Sequence, residues 1–310
     1  MKRTLALLIS LHFVVACSPE KSPPPATDKT KAATTTLITP DYELLRPTDE
    51  PAAALLILFG GYPERAADIK REFKIAEPAT AQQVAVLFMN YSQRLWLEES
   101  EKKELGSRLQ SAILKHGLPT DNIYVGGFSS GGNVALLLSD FLVGRDEFGF
   151  KPKGVFVVDS PVDLAELYAT AALNVARNFS PPSVREGEFL LEKMSKEIGD
   201  PTRSLDRYET YSPVTFGTNN TDRIANLREI KIRLYTEPDT VWWQKHRQQA
   251  YVETNGYRLK RLYGKMRELG FEKVTYVTSE NRGYRSGGER HPHSWSIVDP
   301  EELVSWMLAN

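Results

Sequence analysis

The most reactive candidate in this 310-residue sequence is Ser129, which lies in the segment GFSSG at positions 127–131. An apolar run, Ile123 to Gly126, leads into this segment, and a helical pattern follows it. A serine between two glycines on a tight turn from strand to helix is pushed into the open, where it can act as a nucleophile. Ser130 is a weaker choice, because shifting the pattern by one residue puts Phe128 where glycine is needed.

A serine hydroxyl attacks efficiently only when a neighbouring base accepts its proton, and histidine is the usual base at neutral pH. His291 and His293 lie between an apolar run that ends at Val277 and the predicted C-terminal helix. His116 and His246 fall at the end of one predicted helix and within another, where surface or capping roles are common. The base is therefore expected to be His291 or His293.

A carboxylate is also needed, because it holds the imidazole in the right tautomer and stabilises its charged form. Three candidates follow apolar runs of the sequence. Asp239 and Glu237 come after the run Ile230 to Tyr235, and Asp159 comes directly after Val155 to Val158. All three remain open on residue type alone, since a loop carboxylate or a helix cap has the same appearance in a sequence.

Short apolar runs alternate with longer amphipathic segments from about residue 50 onward, which predicts a parallel sheet covered by helices. The predicted strands are 54–59, 84–89, 123–126, 155–158, 230–235 and 274–277. The plainest predicted helices are 97–116, 134–141 and 301–308. The connection at about 160–228 is too long for a simple crossover, so we expect a mostly helical cap over the site.

The order of strand, Gly-Gly loop, serine, acid and histidine resembles the α/β-hydrolase superfamily from about residue 50 to the C-terminus. That resemblance implies a mostly parallel central sheet with helices on both faces and a helical cap insertion. It favours His293 as the base, because His-Ser-Trp at 293–295 before a terminal helix resembles the end of many members. It favours Asp239 as the acid, about four residues past its strand, with Glu237 and Asp159 as alternatives.

The same resemblance implies an oxyanion hole, which needs backbone donors aimed at the charge that develops on the attacked carbonyl. The segment LFGGY at 58–62 resembles the glycine-rich loop of esterases and lipases, with Phe59 and Tyr62 replacing two of its usual residues. The expected donors are the N–H groups of Ser130 and of Gly61 or Tyr62.

The activity implied is ester hydrolysis through an acyl-serine, with no metal and no cofactor. A peptidase or amidase of the same fold is an alternative, because the same groups cleave amides. A binding lipoprotein that keeps the hydrolase fold without catalysis is another, since fold does not imply function. The expected substrate is a small ester or a peptide. A formal net charge of -1 disfavours nucleic acid as a partner.

The N-terminal residues predict export. Lys2 and Arg3 precede an apolar run that ends near Val15, which reads as a signal peptide at 1–16. The segment VVAC at 14–17 resembles the lipobox of bacterial lipoproteins, and Cys17 is the only cysteine in the chain. This implies a lipid-modified Cys17, a disordered tether at 17–40 and a hydrolase domain at 41–310. The expected location is the bacterial cell envelope, with the protein lipid-anchored and facing the periplasm or the exterior.

Overall fold

A computed structural model describes residues 33–48, 51–91 and 94–309. At its centre is an eight-stranded sheet in the order β1-β2-β4-β3-β5-β6-β7-β8. The strands are β1 Thr34–Ile38, β2 Tyr42–Pro47, β3 Ala54–Phe59, β4 Val84–Met89, β5 Ile123–Phe128, β6 Pro152–Val158, β7 Lys231–Thr236 and β8 Val274–Thr278. From β4 to β8 neighbouring strands run parallel, whereas β2 is antiparallel to both β1 and β4. The predicted α/β class is confirmed.

The helices lie around this sheet. They are α1 Ala66–Glu72, α2 Ala76–Ala81, α3 Glu99–His116, α4 Ser130–Val143, α5 Leu164–Arg177, α6 Pro181–Glu197, α7 Leu205–Tyr211, α8 Thr240–Arg247, α9 Asn255–Glu268 and α10 Pro300–Leu308. The described part of the chain has no helix that is both long and apolar enough to cross a bilayer.

Strand β1 corrects the predicted extent of the tether. Residues 34–38 were expected to be disordered, yet they pair with β2 through five residues, from Thr34 opposite Pro47 to Ile38 opposite Glu43. All five are exposed, so the segment lacks the buried apolar pattern that predicts a strand. Its threonines still suit an extended edge strand held by backbone hydrogen bonds. The folded domain therefore begins before residue 41, and the predicted signal and Cys17 lie outside the described residues.

Two cores cover the two faces of the sheet, as β3 shows. Leu55, Ile57 and Phe59 belong to one buried cluster, whereas Leu56 and Leu58 belong to the other. Successive side chains of a strand point to opposite faces, so a strand buried on both sides reads as one continuous apolar run. This burial fixes the central strands, whose C-terminal ends carry the candidate site.

Helices α5 and α6 form the main part of the connection from β6 to β7, and they pack against each other. Residues of both helices line the same cavity as Ser129. The final part of this connection lies elsewhere. A 3-10 helix, Asp222–Glu229, packs against α4, where Asp140 accepts a hydrogen bond from the Asn226 N–H at 2.8 Å.

Candidate active site

Ser129 occupies the sharp turn between β5 and α4. Its φ of 53° and ψ of -127° lie where non-glycine residues are rarely found, so the backbone there is strained. Its N–H donates to the Val158 carbonyl oxygen at 2.9 Å, which ties the turn to the end of β6. The turn thereby presents the hydroxyl above the C-terminal edge of the sheet, where ligands bind in open parallel sheets.

The glycines on either side of Ser129 are required by close backbone approach. A Cβ at Gly127 would lie 2.0 Å from the carbonyl oxygen of Gly131. A Cβ at Gly131 would lie 2.4 Å from the carbonyl oxygen of Phe59. These neighbours are backbone atoms that cannot move aside, so both positions exclude side chains. The spacing of the glycines in the sequence therefore reports a real steric requirement.

Three side chains form one hydrogen-bonded chain at this edge of the sheet. His293 Nε2 lies 3.0 Å from Ser129 Oγ, and His293 Nδ1 lies 2.7 Å from Asp159 Oδ2. Because a carboxylate only accepts, Nδ1 carries the proton and Nε2 is left to accept from the serine hydroxyl. The Phe128 ring packs against the imidazole with centroids 4.5 Å apart, which restricts its rotation.

Asp159 is held firmly at the end of β6. Asp159 is only 4% exposed, and its φ of 46° lies in the left-handed region that non-glycine residues seldom adopt. Oδ1 accepts from the Thr236 hydroxyl at 2.8 Å, and Asn255 Nδ2 donates to its carbonyl oxygen at 3.0 Å. The second carboxylate oxygen is thereby directed at His293, since the first is bound to the neighbouring strand.

Asp239, the acid favoured from the sequence, lies elsewhere and does not contact His293. Its carboxylate caps the N-terminus of α8 by accepting from the Trp242 N–H at 2.9 Å, and it pairs with Arg290 at 2.7 Å. The chain turns into this helix immediately after β7, which draws the carboxylate away from the serine. Residues in such a loop often serve as caps, and sequence alone does not separate the two roles.

Glu237, the second alternative, is also committed to structure. It is 3% exposed, and its Oε2 accepts from the Ser279 hydroxyl at 2.8 Å, the Arg282 N–H at 2.9 Å and the Gly283 N–H at 3.0 Å. It also pairs with Arg290. Glu237 therefore organises the segment that leads to the histidine and does not contact the histidine itself.

The predicted oxyanion loop lies beside the serine. The Tyr62 N–H donates to Ser130 Oγ at 3.0 Å, whereas the Gly61 N–H donates to Glu64 Oε2 at 3.0 Å. Ser130 is the first residue of α4, so its N–H has no partner within the helix. Of the three expected donors, the Gly61 N–H is already engaged by Glu64, whereas Tyr62 and Ser130 both line the cavity beside Ser129.

Glu64 joins the oxyanion loop to the segment that contains His293 and Trp295, which we call the histidine segment. The sequence did not reveal this role. The same Oε2 that binds Gly61 also accepts from Trp295 Nε1 at 3.0 Å. Burial raises the pKa of the Glu64 carboxyl above its ordinary value, although these two hydrogen bonds oppose the shift. The sequence shows only that Glu64 closely follows the glycine pair, and this spacing does not predict a contact with Trp295.

Two spaces open beside Ser129. One, of about 130 Å³, lies under the cap. Its apolar walls are formed by Leu95, Pro161, Leu167, Ala171, Phe189 and Leu190, and its polar walls by Thr170, Asn174, Gln249, Glu253, Thr254, Asn255 and Arg258. The Phe189 ring stacks on Tyr62 with centroids 4.7 Å apart, so the cap contacts the oxyanion loop. The second space, of about 380 Å³, lies between Tyr62, His291 and α8.

His291, the alternative base, does not contact Ser129. Its Nδ1 accepts from the His293 N–H at 3.2 Å, and its Nε2 lies 3.4 Å from Arg247 Nη2. Burial, followed by the charges of His293, Arg285 and Arg247, lowers the pKa of His291 to about 2. His291 is therefore neutral at physiological pH, and it supports the backbone of the residue that does contact the serine.

Within residues 33–48, 51–91 and 94–309, no three His, Cys, Asp or Glu side chains are grouped as a metal site requires. The polar groups of the cap cavity are mainly amides and hydroxyls, and Arg258 is bound there by Glu166 and Thr170. What the described side chains can perform by themselves is nucleophilic attack by an activated serine.

The sheet order, the strained serine turn between β5 and α4 and the cap after β6 define the α/β-hydrolase fold, and this chain has it. Solved structures similar to it include MPT51 (FbpC1) of Mycobacterium tuberculosis, with a TM-score of 0.55 and 11% identity over 89% of this chain and 96% of that chain. Esterase B of Lactobacillus rhamnosis has a TM-score of 0.53 and 13% identity over 90% and 84%. An S-formylglutathione hydrolase of Staphylococcus aureus has a TM-score of 0.51 and 11% identity over 90% and 98%. No protein-family profile matches the chain, and no curated protein does.

Proposed function

We propose that this protein is a serine hydrolase that cleaves carboxylic esters through an acyl-serine intermediate. The observation that carries the proposal is the hydrogen-bonded chain from Ser129 through His293 to Asp159, with distances of 3.0 and 2.7 Å. A nucleophile, a base and an orienting acid within hydrogen-bond reach are the arrangement that acyl transfer requires. An esterase and an S-formylglutathione hydrolase among the similar structures agree with this chemistry.

The first half of the reaction forms the acyl-enzyme. His293 Nε2 takes the proton of the Ser129 hydroxyl while Oγ forms a bond to the ester carbonyl carbon. The carbonyl oxygen becomes an oxyanion beside the N–H groups of Tyr62 and Ser130. When the tetrahedral intermediate collapses, the bond to the leaving oxygen breaks, and that oxygen receives the proton from His293. The alcohol then departs.

The second half returns the enzyme to its starting state. Water takes the place of the alcohol, gives a proton to His293 Nε2 and attacks the acyl carbon. The new tetrahedral intermediate expels Ser129 Oγ, which recovers its proton from the imidazole. Asp159 remains ionised throughout, and it stabilises the imidazolium formed in each half. We therefore assign the orienting acid to Asp159 in place of Asp239.

The oxyanion donors are assigned from what each N–H does in the structure. Glu64 already accepts the hydrogen bond of Gly61, so the Gly61 N–H has no second proton to give. The Tyr62 N–H contacts only a neutral hydroxyl, that of Ser130, which can rotate away when a charged oxygen arrives. An oxyanion is the stronger acceptor, because hydrogen bonds to charged groups are about twice as strong.

The decisive experiment is covalent labelling with a fluorophosphonate, which traps activated serines. The folded protein should be labelled at Ser129, and Ser129→Ala should abolish both the label and ester hydrolysis. Ser107→Ala is the matched control, because Ser107 is exposed on α3, where its hydroxyl donates only to the Lys103 carbonyl. Labelling that persists in Ser129→Ala would refute the assignment. A panel of acyl esters and matched amides then tests the preference for esters.

We also propose that the mature protein is held in the bacterial envelope by a lipid on Cys17. The support is the sequence alone: a charged start, an apolar run and a single cysteine at the expected end of the signal. Growth of an expressing bacterium with a labelled fatty acid should label the protein. Cys17→Ala should abolish that label, whereas Ser18→Ala should retain it. A Cys17→Ala protein that is still labelled would overturn the anchor.

A further inference from the structure

The larger space beside Ser129 contains two arginines that come from different parts of the chain. Arg247 ends α8, and Arg285 lies in the segment before His291. Both line the same space as Ser129 and His293. We call the surface formed by Arg247, Arg285 and His291 the arginine cleft. Tyr62 lines this space and also lines the cavity under the cap, to which α5 contributes.

Arg247 is partly buried and lacks a carboxylate partner. Its Nη1 donates to the Ser180 hydroxyl at 2.7 Å, and its guanidinium lies 5.4 Å from the centre of the Trp242 ring. Among the described residues, no carboxylate oxygen lies within 4.0 Å of it. Burial lowers the pKa of Arg247, which reflects a cation that has lost part of its water. A cation in this state is stabilised when an anion binds to it.

Arg285 is placed against the reaction centre. Its guanidinium lies 5.6 Å from the centre of the Phe128 ring, and Phe128 precedes the serine. In the described part of the chain no carboxylate lies within ion-pair distance of this side chain. Two arginines on one cleft repel each other, and this repulsion is relieved when an anion binds between them.

The histidine of the cleft adds a third donor. His291 is neutral, and its Nδ1 already accepts from the His293 N–H, so the proton of the ring is on Nε2. That Nε2–H faces Arg247 Nη2 at 3.4 Å, where both groups are donors. Two donors do not satisfy each other. An oxygen that accepts from both would satisfy them, and a carboxylate offers two such oxygens.

The acidic groups that line the same space do not neutralise the two arginines by direct contact. Glu64 Oε2 is bound by Gly61 and Trp295, and its charge acts on Arg285 without forming an ion pair. Glu186 is exposed on α6, and its charge acts on Arg247 only from a distance. Glu289, which does not line this space, also acts on Arg247 only from a distance. Solvent screens such distant charges, whereas a bound anion would contact the guanidinium groups directly.

We propose that the arginine cleft binds a negatively charged group of the substrate, such as a carboxylate, so that the enzyme prefers esters that carry an acid. The inference rests on the proposed function, because it assigns the specificity of the same site. Planar guanidinium groups suit carboxylates, since each can donate two parallel hydrogen bonds. The anion would hold the substrate while its ester carbonyl lies at Ser129 Oγ.

Matched substrates measure this preference. One pair, 4-acetoxybenzoate and 4-acetoxybenzamide, differs in charge on the alcohol side of the ester. The other, the 4-nitrophenyl monoester of glutaric acid and 4-nitrophenyl pentanoate, differs on the acyl side. After correction for each ester's rate of alkaline hydrolysis, kcat/KM of the charged member should exceed that of the neutral member by about tenfold or more in at least one pair. Ratios near one in both pairs would overturn the proposal.

Variants then show which residues produce the ratio. Arg247→Gln and Arg285→Gln should each lower the charged-to-neutral ratio by about tenfold, because each removes charged hydrogen bonds. Lys245→Gln is the matched control, since Lys245 lies on the same helix α8, is exposed and lines a different surface. Its ratio should match that of the parent protein. If Lys245→Gln lowers the ratio as much as the arginine variants do, net charge and not the cleft is responsible.

Binding measured without turnover separates failure of the cleft from failure of the proposed function. If no ester is cleaved in a Ser129-dependent manner, the proposed function fails, and calorimetry with 4-hydroxybenzoate and glutarate decides the anion site alone. Binding to Ser129→Ala that is lost in Ser129→Ala/Arg285→Gln supports the site. Binding that survives the second substitution, or no binding of either probe, refutes it. If Ser129-dependent hydrolysis occurs without a charge preference, the proposed function stands, and only the proposal that the arginine cleft binds an anion fails.

Discussion

His293 Nδ1 lies 2.7 Å from Asp159 Oδ2, although the two residues are 134 positions apart. The contact exists because β6 lies beside β5, so that Asp159, directly after β6, is close to the turn after β5 that carries Ser129. Thr236 of β7 reaches back to the same carboxylate through its hydroxyl. The proposed acid therefore directly follows β6, and β7 supplies a supporting hydrogen bond.

Asp159→Asn should lower kcat by about 10³- to 10⁴-fold, because an amide neither fixes the histidine tautomer nor stabilises the imidazolium. Steady-state hydrolysis of a 4-nitrophenyl ester measures the effect. A thermal unfolding curve close to that of the parent protein would show that the fold is retained. A loss of less than about tenfold would remove Asp159 from the proposed mechanism.

Asp239→Asn should lower kcat by much less, under about tenfold, because Asp239 caps α8 and pairs with Arg290 away from the imidazole. Asparagine is also a good N-cap, so the free energy of unfolding should fall by no more than about 1 kcal/mol. Urea denaturation and the same ester assay give both values. If Asp239→Asn is the more damaging of the two variants in turnover, the acid has been assigned to the wrong strand.

Gly61→Ala should lower kcat/KM by about 10- to 100-fold through displacement of the oxyanion loop. A Cβ at Gly61 would lie 2.9 Å from Ser129 Cβ and 3.1 Å from Phe128 Cδ1, so the loop must move. Gly217→Ala is the matched control, because no atom lies within 4 Å of the position of its Cβ. Equal losses in the two variants would contradict the assignment of the loop.

Glu64→Ala should lower the free energy of unfolding by about 1–3 kcal/mol, because it leaves the Gly61 N–H and Trp295 Nε1–H buried without their acceptor. Turnover should fall as well, since Tyr62 follows Gly61. Glu64→Gln keeps an acceptor oxygen and should restore part of both losses. Glu77→Ala, at an exposed position of α2, should change stability by less than about 0.5 kcal/mol. Equal stability losses in Glu64→Ala and Glu77→Ala would disprove the link.

His291→Asn should remove part of the acid sensitivity of the protein. The pKa of His291 falls from its ordinary 6.5 to about 2 in the folded state. Below pH 6.5 the unfolded chain thus binds a proton that the folded protein does not. The stability from this group is complete above pH 6.5 and declines as the pH falls toward 2. Between pH 7 and pH 5 the parent should lose about 2 kcal/mol more than the variant. Urea denaturation at both pH values tests this, and equal losses would show that His291 is not buried as a neutral group.

Residue type and spacing alone indicated a candidate nucleophile and the six parallel strands of the sheet. Gly127 and Gly131 are required by backbone approaches within and beside one turn, so their spacing identifies Ser129 locally. The central strands are buried on both faces, and this burial appears as continuous apolar runs such as Ala54–Phe59. The exposed edge strand β1 has no such run, and it was predicted as part of the tether.

Tertiary packing selects the carboxylate that contacts His293 and the charges that surround the serine. Asp159, Glu237 and Asp239 all follow apolar runs, and they differ only in the paths of the chain beyond β6 and β7. Arg247 and Arg285 converge because α8 and the histidine segment end at the same side of Ser129. Residue type and spacing describe the local backbone, whereas contacts between distant segments depend on how the strands and loops pack in three dimensions.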